Sequence, residues 1–390
     1  MVANSSRRDV LMLGLAAAGT MALPRLSWAA EPGVTKDKII IGSYLPLQSG
    51  LAAGATQLRD GADAYFQHIN DNGGIHGRKI QWIVENDSYN PQQTVAVVKK
   101  LVDRDGVFAI VSTLGTATNL AALPFLAQRK VPLINPAGGH ERLNAPTDPN
   151  VFGLLPVGQD IGAAMANYAV DKLQAKRVAI FFQNDPFGKD PRDGAVETLA
   201  KRGVPVVAET SYVPSDVDMS AQAVAMRDAN PDVVLMMCIT KQGALLLQKA
   251  QQLGWKPKFL AQNTMGDPIT ADLAGEALDD VMVILFTAIE TMDTPAVREA
   301  NALIAKYHPE TKPGYWTYLG IAGAKVFVEA ANRVGPDLTR AKLLEVLYNF
   351  GRYEPGVVPP VNWSRESHGG PKTFGFAVWK GGKLNVVEGW

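Results

Sequence analysis

The strongest constraint on the fold of this chain is an alternation. Short runs of β-branched and apolar residues recur, each followed by a small-residue loop and then by a stretch with helical spacing. Residues 38–46 (KIIIGSYLP), 79–85 (KIQWIVE), 108–112 and 131–134 read as strands. Between them, 57–70 carries Leu58, Ala62, Tyr65, Phe66 and Ile69 at helix spacing after a Gly/Ala-rich loop at 48–55, and 91–104 reads as a second helix. Strand and helix in strict succession predict a parallel sheet with helices on both faces.

The alternation then restarts. Residues 151–155, 177–183, 204–211, 232–237, 259–261 and 281–285 read as strands, with helices at 161–173, 188–202, 219–229 and 241–253. Further helices are expected at 294–308, 318–334 and 340–349. The tail, 356–363 and 373–390, is β-rich, with Lys380-Gly381-Gly382-Lys383 as a hairpin turn. Two successive runs of one pattern predict two similar α/β lobes. No low-complexity linker separates them, so several short crossings should join them rather than one tether.

The segment 107–129 (VFAIVSTLGTATNLAALPFLAQR) concentrates the chemistry. A buried strand feeds a loop of small and hydroxyl residues, and a helix follows, with Thr116 or Thr118 as its expected cap. Amides at such a helix start point outward without intrahelical partners and can hold a carboxylate without a charged side chain. Alone, the same segment reads first as an ordinary strand–helix turn.

The N-terminal segment reads as an export signal. Ser6-Arg7-Arg8-Asp9-Val10-Leu11 has a twin-arginine pattern, 11–23 is apolar and uncharged, and Ser27-Trp28-Ala29 presents small residues to a signal peptidase. The expectation is a signal peptide over 1–29, cleavage after Ala29, and a mature protein in the periplasm. Removing it leaves 35 basic against 37 acidic residues, which gives no basis for binding nucleic acid or an anionic membrane surface. The only cysteine is Cys238, which excludes an internal disulfide and a cysteine zinc site.

Five segments carry a resemblance. They are Leu45-Pro46-Leu47-Gln48-Ser49-Gly50; the run from His68 to Ile80, with Ile69-Asn70 and Gly73-Gly74-Ile75-His76-Gly77-Arg78; Asn86-Asp87-Ser88-Tyr89-Asn90-Pro91; Ile134-Asn135-Pro136-Ala137; and Trp363-Ser364 with His368-Gly369. Over its mature length the chain resembles the type I periplasmic solute-binding proteins of ABC importers, in the leucine/isoleucine/valine-binding group. The resemblance implies two Rossmann-like lobes joined by three crossings, near 155–158, 286–289 and 357–361, with a small-molecule ligand in the interlobe cleft. Lobe 1 is then 30–155 plus 287–357, and lobe 2 is 156–286 plus 358–390. It also implies closure by a hinge, recognition by ABC permease membrane subunits, no cofactor and a monomer.

Carried over position by position, the resemblance implies that Leu114, Gly115, Thr116 and Thr118 meet a ligand carboxylate, with Ala137, Gly138 and Gly139 beside them. The second lobe contributes Phe187, Ile239 and Asn263, and the remaining expected site residues are Gln48, Ser49, His140, Asp185 and Met265. The chain departs from amino-acid binders at Phe187 and Ile239, where those carry tyrosines, and at Asn263, where they carry an acid facing the ammonium. The cysteine pair of the leucine-binding prototype falls on Tyr89 and Leu114. These departures rank an aromatic or other hydrophobic carboxylate first and branched-chain amino acids or an amide second. Ile239 and Met265 are equally compatible with plain core.

Other classes find little support. The five histidines, His68, His76, His140, His308 and His368, show no metal-ligand spacing, and His140-Glu141 lacks the second histidine of a zincin. The chain has no Gly-x-Ser-x-Gly elbow, no P-loop and no dinucleotide fingerprint after a strand. Catalysis is therefore not expected; a ligand-sensing domain on the same fold is the alternative.

Overall fold

The structure is a computed structural model and describes residues 31–143 and 148–390. The expected signal segment and its cleavage point after Ala29 lie outside the described residues.

The chain begins with β1 (Lys38–Leu45), α1 (Ala52–Asp71), β2 (Lys79–Asn86), α2 (Pro91–Lys99), β3 (Ile110–Leu114), α3 (Thr116–Arg129), β4 (Leu133–Ala137) and β5 (Val151–Phe152). The five strands pair in parallel in the order β2-β1-β3-β4-β5. Side chains alternate across this sheet. Ile39 and Ile41 pack with Leu58, Ala62 and Phe66 of α1, whereas Tyr44 and Ile110 pack with Val98 of α2 and Leu123 and Leu126 of α3. The helix read over 91–104 is α2 continued by a π-helical turn, Lys100–Arg104.

The second run gives α4 (Gly158–Asp171), β6 (Val178–Gln183), α5 (Pro186–Lys201), β7 (Val206–Tyr212), α6 (Ser220–Asp228), β8 (Val233–Met237), α7 (Thr240–Gln252), β9 (Lys258–Ala261), α8 (Ile269–Ala274) and β10 (Met282–Leu285). Three helices follow, α9 (Pro295–Tyr307), α10 (Tyr315–Val334) and α11 (Arg340–Tyr348), then β11 (Gly351–Tyr353), β12 (Val361–Trp363), β13 (Gly375–Lys380) and β14 (Lys383–Glu388). The second sheet runs β14-β13-β10-β9-β8-β6-β7, parallel except where the β13–β14 hairpin adds antiparallel to β10. Here Ile180 and Met237 pack with Ile161 and Met165 of α4, and Phe181 and Met236 pack with Leu246 and Leu247 of α7.

α10 belongs to the first lobe although it comes after the whole parallel part of the second. It packs along α1 and over β3 and β4, with Tyr318, Leu319, Ile321, Ala322 and Val326 fully buried. The chain therefore passes between the sheets three times. The first passage follows β5 and the second follows β10. The third differs from the sequence reading: β12 pairs with β11, and Trp363 packs on Phe152 and Phe350. The chain thus stays with the first lobe through Trp363 and crosses over 364–374, not 357–361. There the Gly153 amide donates to the His368 carbonyl at 3.0 Å, so the first and third passages run side by side.

Two helix starts also differ from the reading. α1 begins at Ala52, inside the stretch read as a Gly/Ala-rich loop. Gly54 is required there by packing, because a Cβ would come within 2.6 Å of the Trp316 indole. α10 begins at Tyr315 rather than at residue 318, because Thr317 Oγ1 accepts from the Gly314 amide at 2.8 Å and closes the first turn early.

Candidate ligand cleft

The C-terminal ends of both parallel sheets meet at one cavity, the usual ligand side of open α/β sheets. Its empty volume, counting space open to solvent, is about 480 Å³. From the first lobe it is lined by Leu51, Tyr89, Leu114, Gly115, Thr116, Ala137, Gly138, Gly139, Leu155, Tyr315 and Trp316. From the second come Ile161, Phe187, Ile239, Gln262, Asn263, Thr264 and Phe286.

The start of α3 is held firmly. Asn119 Oδ1 accepts from the Tyr44 hydroxyl at 2.8 Å and from Thr113 Oγ1 at 2.7 Å, which ties the first turn of α3 to β1 and β3. Gly115 occupies the N-cap position at φ 122°, and its amide donates to the Ala137 carbonyl at 2.9 Å. A side chain does not fit there, since a Cβ would lie 2.3 Å from Thr118 Oγ1 and 2.8 Å from the Tyr89 ring. The first intrahelical bond runs from the Asn119 amide to the Gly115 carbonyl at 3.0 Å, so the amides of Thr116, Ala117 and Thr118 precede it. Neither threonine is the cap that the sequence suggested. Thr118 Oγ1 donates back to the carbonyls of Leu114 and Gly115, at 3.1 and 3.0 Å. Thr116 Oγ1 is buried without a partner.

Just upstream, two neighbouring residues on β3 and β4 adopt left-handed backbone, Ser112 at φ 58° and Asn135 at φ 57°. The Asn135 carboxamide secures this strained pair, donating to Ser112 Oγ at 3.2 Å and to the Leu319 carbonyl of α10 at 3.1 Å. The bends redirect the strand ends that carry Gly115 and Gly138.

A polar chain spans the two lobes beside the cavity. Gln183 Nε2 donates to Tyr89 Oη at 3.3 Å and to Asp185 Oδ2 at 2.6 Å. Tyr212 Oη donates to Gln183 Oε1 at 3.0 Å and accepts from the Ile239 amide at 2.9 Å. Burial pushes both tyrosine hydroxyls well above the ordinary phenol range, so they stay protonated. At the other side, Tyr315 of the first lobe is hydrogen-bonded to Asn263 of the second, and the Trp316 amide donates to Asp267 Oδ2 at 3.4 Å. Burial pushes the Asp267 carboxyl up to about 6.

Of the expected site residues, Leu114, Gly115, Thr116, Ala137, Gly138, Gly139, Phe187, Ile239 and Asn263 come together in the lining. The other six do not. Gln48 is exposed, and its side-chain Oε1 accepts from Asn86 Nδ2 at 3.2 Å. Ser49 Oγ accepts from the Leu51 amide at the start of α1. Thr118 is turned into its own helix, as above. His140 Nδ1 accepts from the Arg142 amide at 3.1 Å. Asp185 caps α5, accepting from the amides of Phe187 and Gly188. Met265 is fully buried in the second-lobe core, where a Cβ at Gly243 would meet its sulfur at 2.4 Å.

The sequence reading missed several lining residues, above all Tyr315 and Trp316. Their signal is an aromatic pair directly after Pro313-Gly314, hidden by starting the helix three residues late. It also missed Gln262, one residue before Asn263. Away from the cavity, Asp60, His308 and Glu310 approach one another, a grouping invisible in linear spacing. Arg59 pairs with Asp60 at 2.7 Å and His308 Nε2 is hydrogen-bonded to Asp63 at 2.8 Å, so these groups already have protein partners.

Comparison with known proteins agrees with this architecture. The family described as periplasmic binding protein matches residues 38–383. A Leu/Ile/Val-binding protein homolog 7 from Brucella abortus (strain 2308) is 26% identical over 310 residues, covering 76% of this chain and 77% of its own length. Among solved structures, a fatty acid ABC transporter substrate-binding protein from Thermomonospora curvata superposes with a TM-score of 0.85 at 21% identity, covering 92% of this chain and 93% of that one. A branched chain amino acid ABC transporter from Thermus thermophilus with bound valine gives 0.81 at 21% identity, covering 90% and 96%.

Proposed function

Because this chain belongs to the periplasmic binding protein family, the solute-binding components of ABC transporters, we propose that it captures an aromatic or otherwise hydrophobic carboxylate and delivers it to an ABC permease. The observation that carries the ligand class is the start of α3. Gly115 and Thr116 at that start line a cavity whose other walls are mainly aliphatic and aromatic, and the amides of the first turn have no intrahelical partners. A carboxylate is stabilised at such a helix start by the unpaired N–H groups and the helix dipole. Leu51, Phe187, Ile239, Phe286 and Trp316 suit an apolar body. Among the described residues no carboxylate lines the cavity. An ammonium buried there would lack a counter-charge, which disfavours an α-amino acid.

Branched-chain amino acids are the second reading, on the likeness to the valine-bound structure. Export by the twin-arginine route with cleavage after Ala29, hinge closure over the three passages, and action as a monomer complete the proposal. A thermal-shift screen of the mature protein tests it. A ligand at a hundred times its Kd should add roughly 2.7 kcal/mol of stability. Shifts with aryl or fatty acids support the reading; shifts with leucine-type amino acids alone overturn the ligand class.

A further inference from the structure

Most polar side chains lining the cavity already have partners. Tyr315 is bonded to Asn263, Tyr89 accepts from Gln183, and Thr264 Oγ1 donates to the Cys238 carbonyl at 2.6 Å. Two lining atoms are buried and unpaired, Thr116 Oγ1 of the first lobe and Gln262 Oε1 of the second. Thr116 is 1% exposed and Gln262 4%. Buried polar atoms of this kind are rarely left unsatisfied, and a carboxamide oxygen can only accept. Gln262 is also fixed in place. It follows β9 directly, and its amide donates to the Met236 carbonyl of β8 at 2.9 Å. Thr116 stands at the matching edge of the first sheet. The two residues line one cavity from opposite lobes.

We propose that Gln262 is a specificity-determining residue, and that the ligand carries, besides its carboxylate, a neutral hydrogen-bond donor that meets Gln262 Oε1. This rests on the carboxylate reading of the α3 start. The donor is a hydroxyl or an amide N–H rather than an ammonium. Gln262 offers a dipole, not a charge, and the nearby carboxylates are engaged elsewhere: Asp185 caps α5, and Asp267 accepts from Ile269 and Trp316. Without a donor in the ligand, closing the cleft leaves the Gln262 oxygen desolvated and unpaired, so ligands lacking the donor are selected against.

The test is isothermal titration of the mature protein with phenylacetate and three hydroxylated relatives, mandelate, 3-hydroxyphenylacetate and 4-hydroxyphenylacetate. At least one hydroxylated acid should bind about tenfold more tightly than phenylacetate. Gln262→Met, of similar size but without the acceptor, should erase that preference: phenylacetate gains affinity because no acceptor is left unpaired, and the favoured hydroxylated acid loses its advantage. Gln262→Glu should gain binding of phenylalanine, because it supplies the counter-charge. Equal affinities for phenylacetate and all three relatives overturn the proposal but leave the carboxylate reading standing, as does a preference that survives in Gln262→Met. Binding of isoleucine or phenylalanine with none of the aryl acids, or no binding at all, overturns both.

Discussion

Tyr89 and Gln183 are joined by a hydrogen bond of 3.3 Å, and they belong to different lobes. The bond bridges the two lobes, so any motion that separates them breaks it. A ligand that stabilises the closed arrangement gains from every such bond, because only interactions that differ between the two states shift their balance. Tyr89→Phe keeps the ring against Gly115 and removes the hydroxyl. It should weaken ligand binding by about 0.5–1.5 kcal/mol, the net contribution of one hydrogen bond, with little change in unliganded melting temperature. Titration calorimetry with the tightest acid from the thermal-shift screen reads the first quantity and calorimetric melting the second.

Phe187 is a half-buried wall of the cavity at the start of α5, not part of the deep core. Phe187→Ala should therefore cost about 1–3 kcal/mol of ligand affinity while leaving most of the fold stability intact. An unchanged dissociation constant removes it from the site.

Gly115→Ala tests the helix start itself. The new Cβ would require φ 122° of an L-residue and would press into Thr118 Oγ1 and the Tyr89 ring. The fold should lose about 1–3 kcal/mol from backbone strain, and carboxylate binding should fall further as the amides turn away. Denaturant melts and the same titration separate the two effects.

Two carboxyls are pushed up toward neutral pH. Burial pushes Glu290, in the second passage between lobes, up to about 7, and the neighbouring charge of Asp267 adds to the shift; Asp267 itself stands at about 6. A carboxyl with a raised folded pKa holds an extra proton in the folded state between its unfolded and folded values. Stability is therefore lost as pH rises through that interval, from the ordinary carboxylate range to about 7, and does not return above it. The melting temperature should fall from pH 6 to pH 8, and Glu290→Gln should flatten the upper part of that curve and add about 1–3 kcal/mol near pH 8. A wild-type curve that rises over the same range overturns this.

The fold was legible because its signals are local. β-branched runs such as Val233–Met237 and the Gly381-Gly382 turn depend on neighbours in sequence, and the structure has strands and hairpin where those signals stand. The site was legible on one side only. The loop after β3 announces itself through small residues between a strand and a helix. Trp316 does not: it reaches the cavity because Gly54, more than two hundred and fifty positions earlier, leaves room for its indole. Gln262 is likewise ordinary in sequence, and only its missing partner in three dimensions marks it. The third crossing was misplaced for a similar reason. The β11–β12 pairing that keeps Trp363 with the first lobe is set by an aromatic cluster drawn from residues 152, 350 and 363.

The late arrival of α10 has a consequence for biosynthesis. A ribosome completes β1 to β5 and then all of the second lobe's parallel strands before residues 315–334 exist. Until they emerge, one face of the first sheet is covered by α1 alone, and the part that Leu319, Ile321, Ala322 and Val326 bury stays open. Domains that fold from the N-terminus as they are made normally finish the first unit first. In this chain the unit that starts first is among the last to be completed, so part of its apolar face stays open while residues 153–314 are made. The interval in which a chaperone has something to hold is written into the order of its helices.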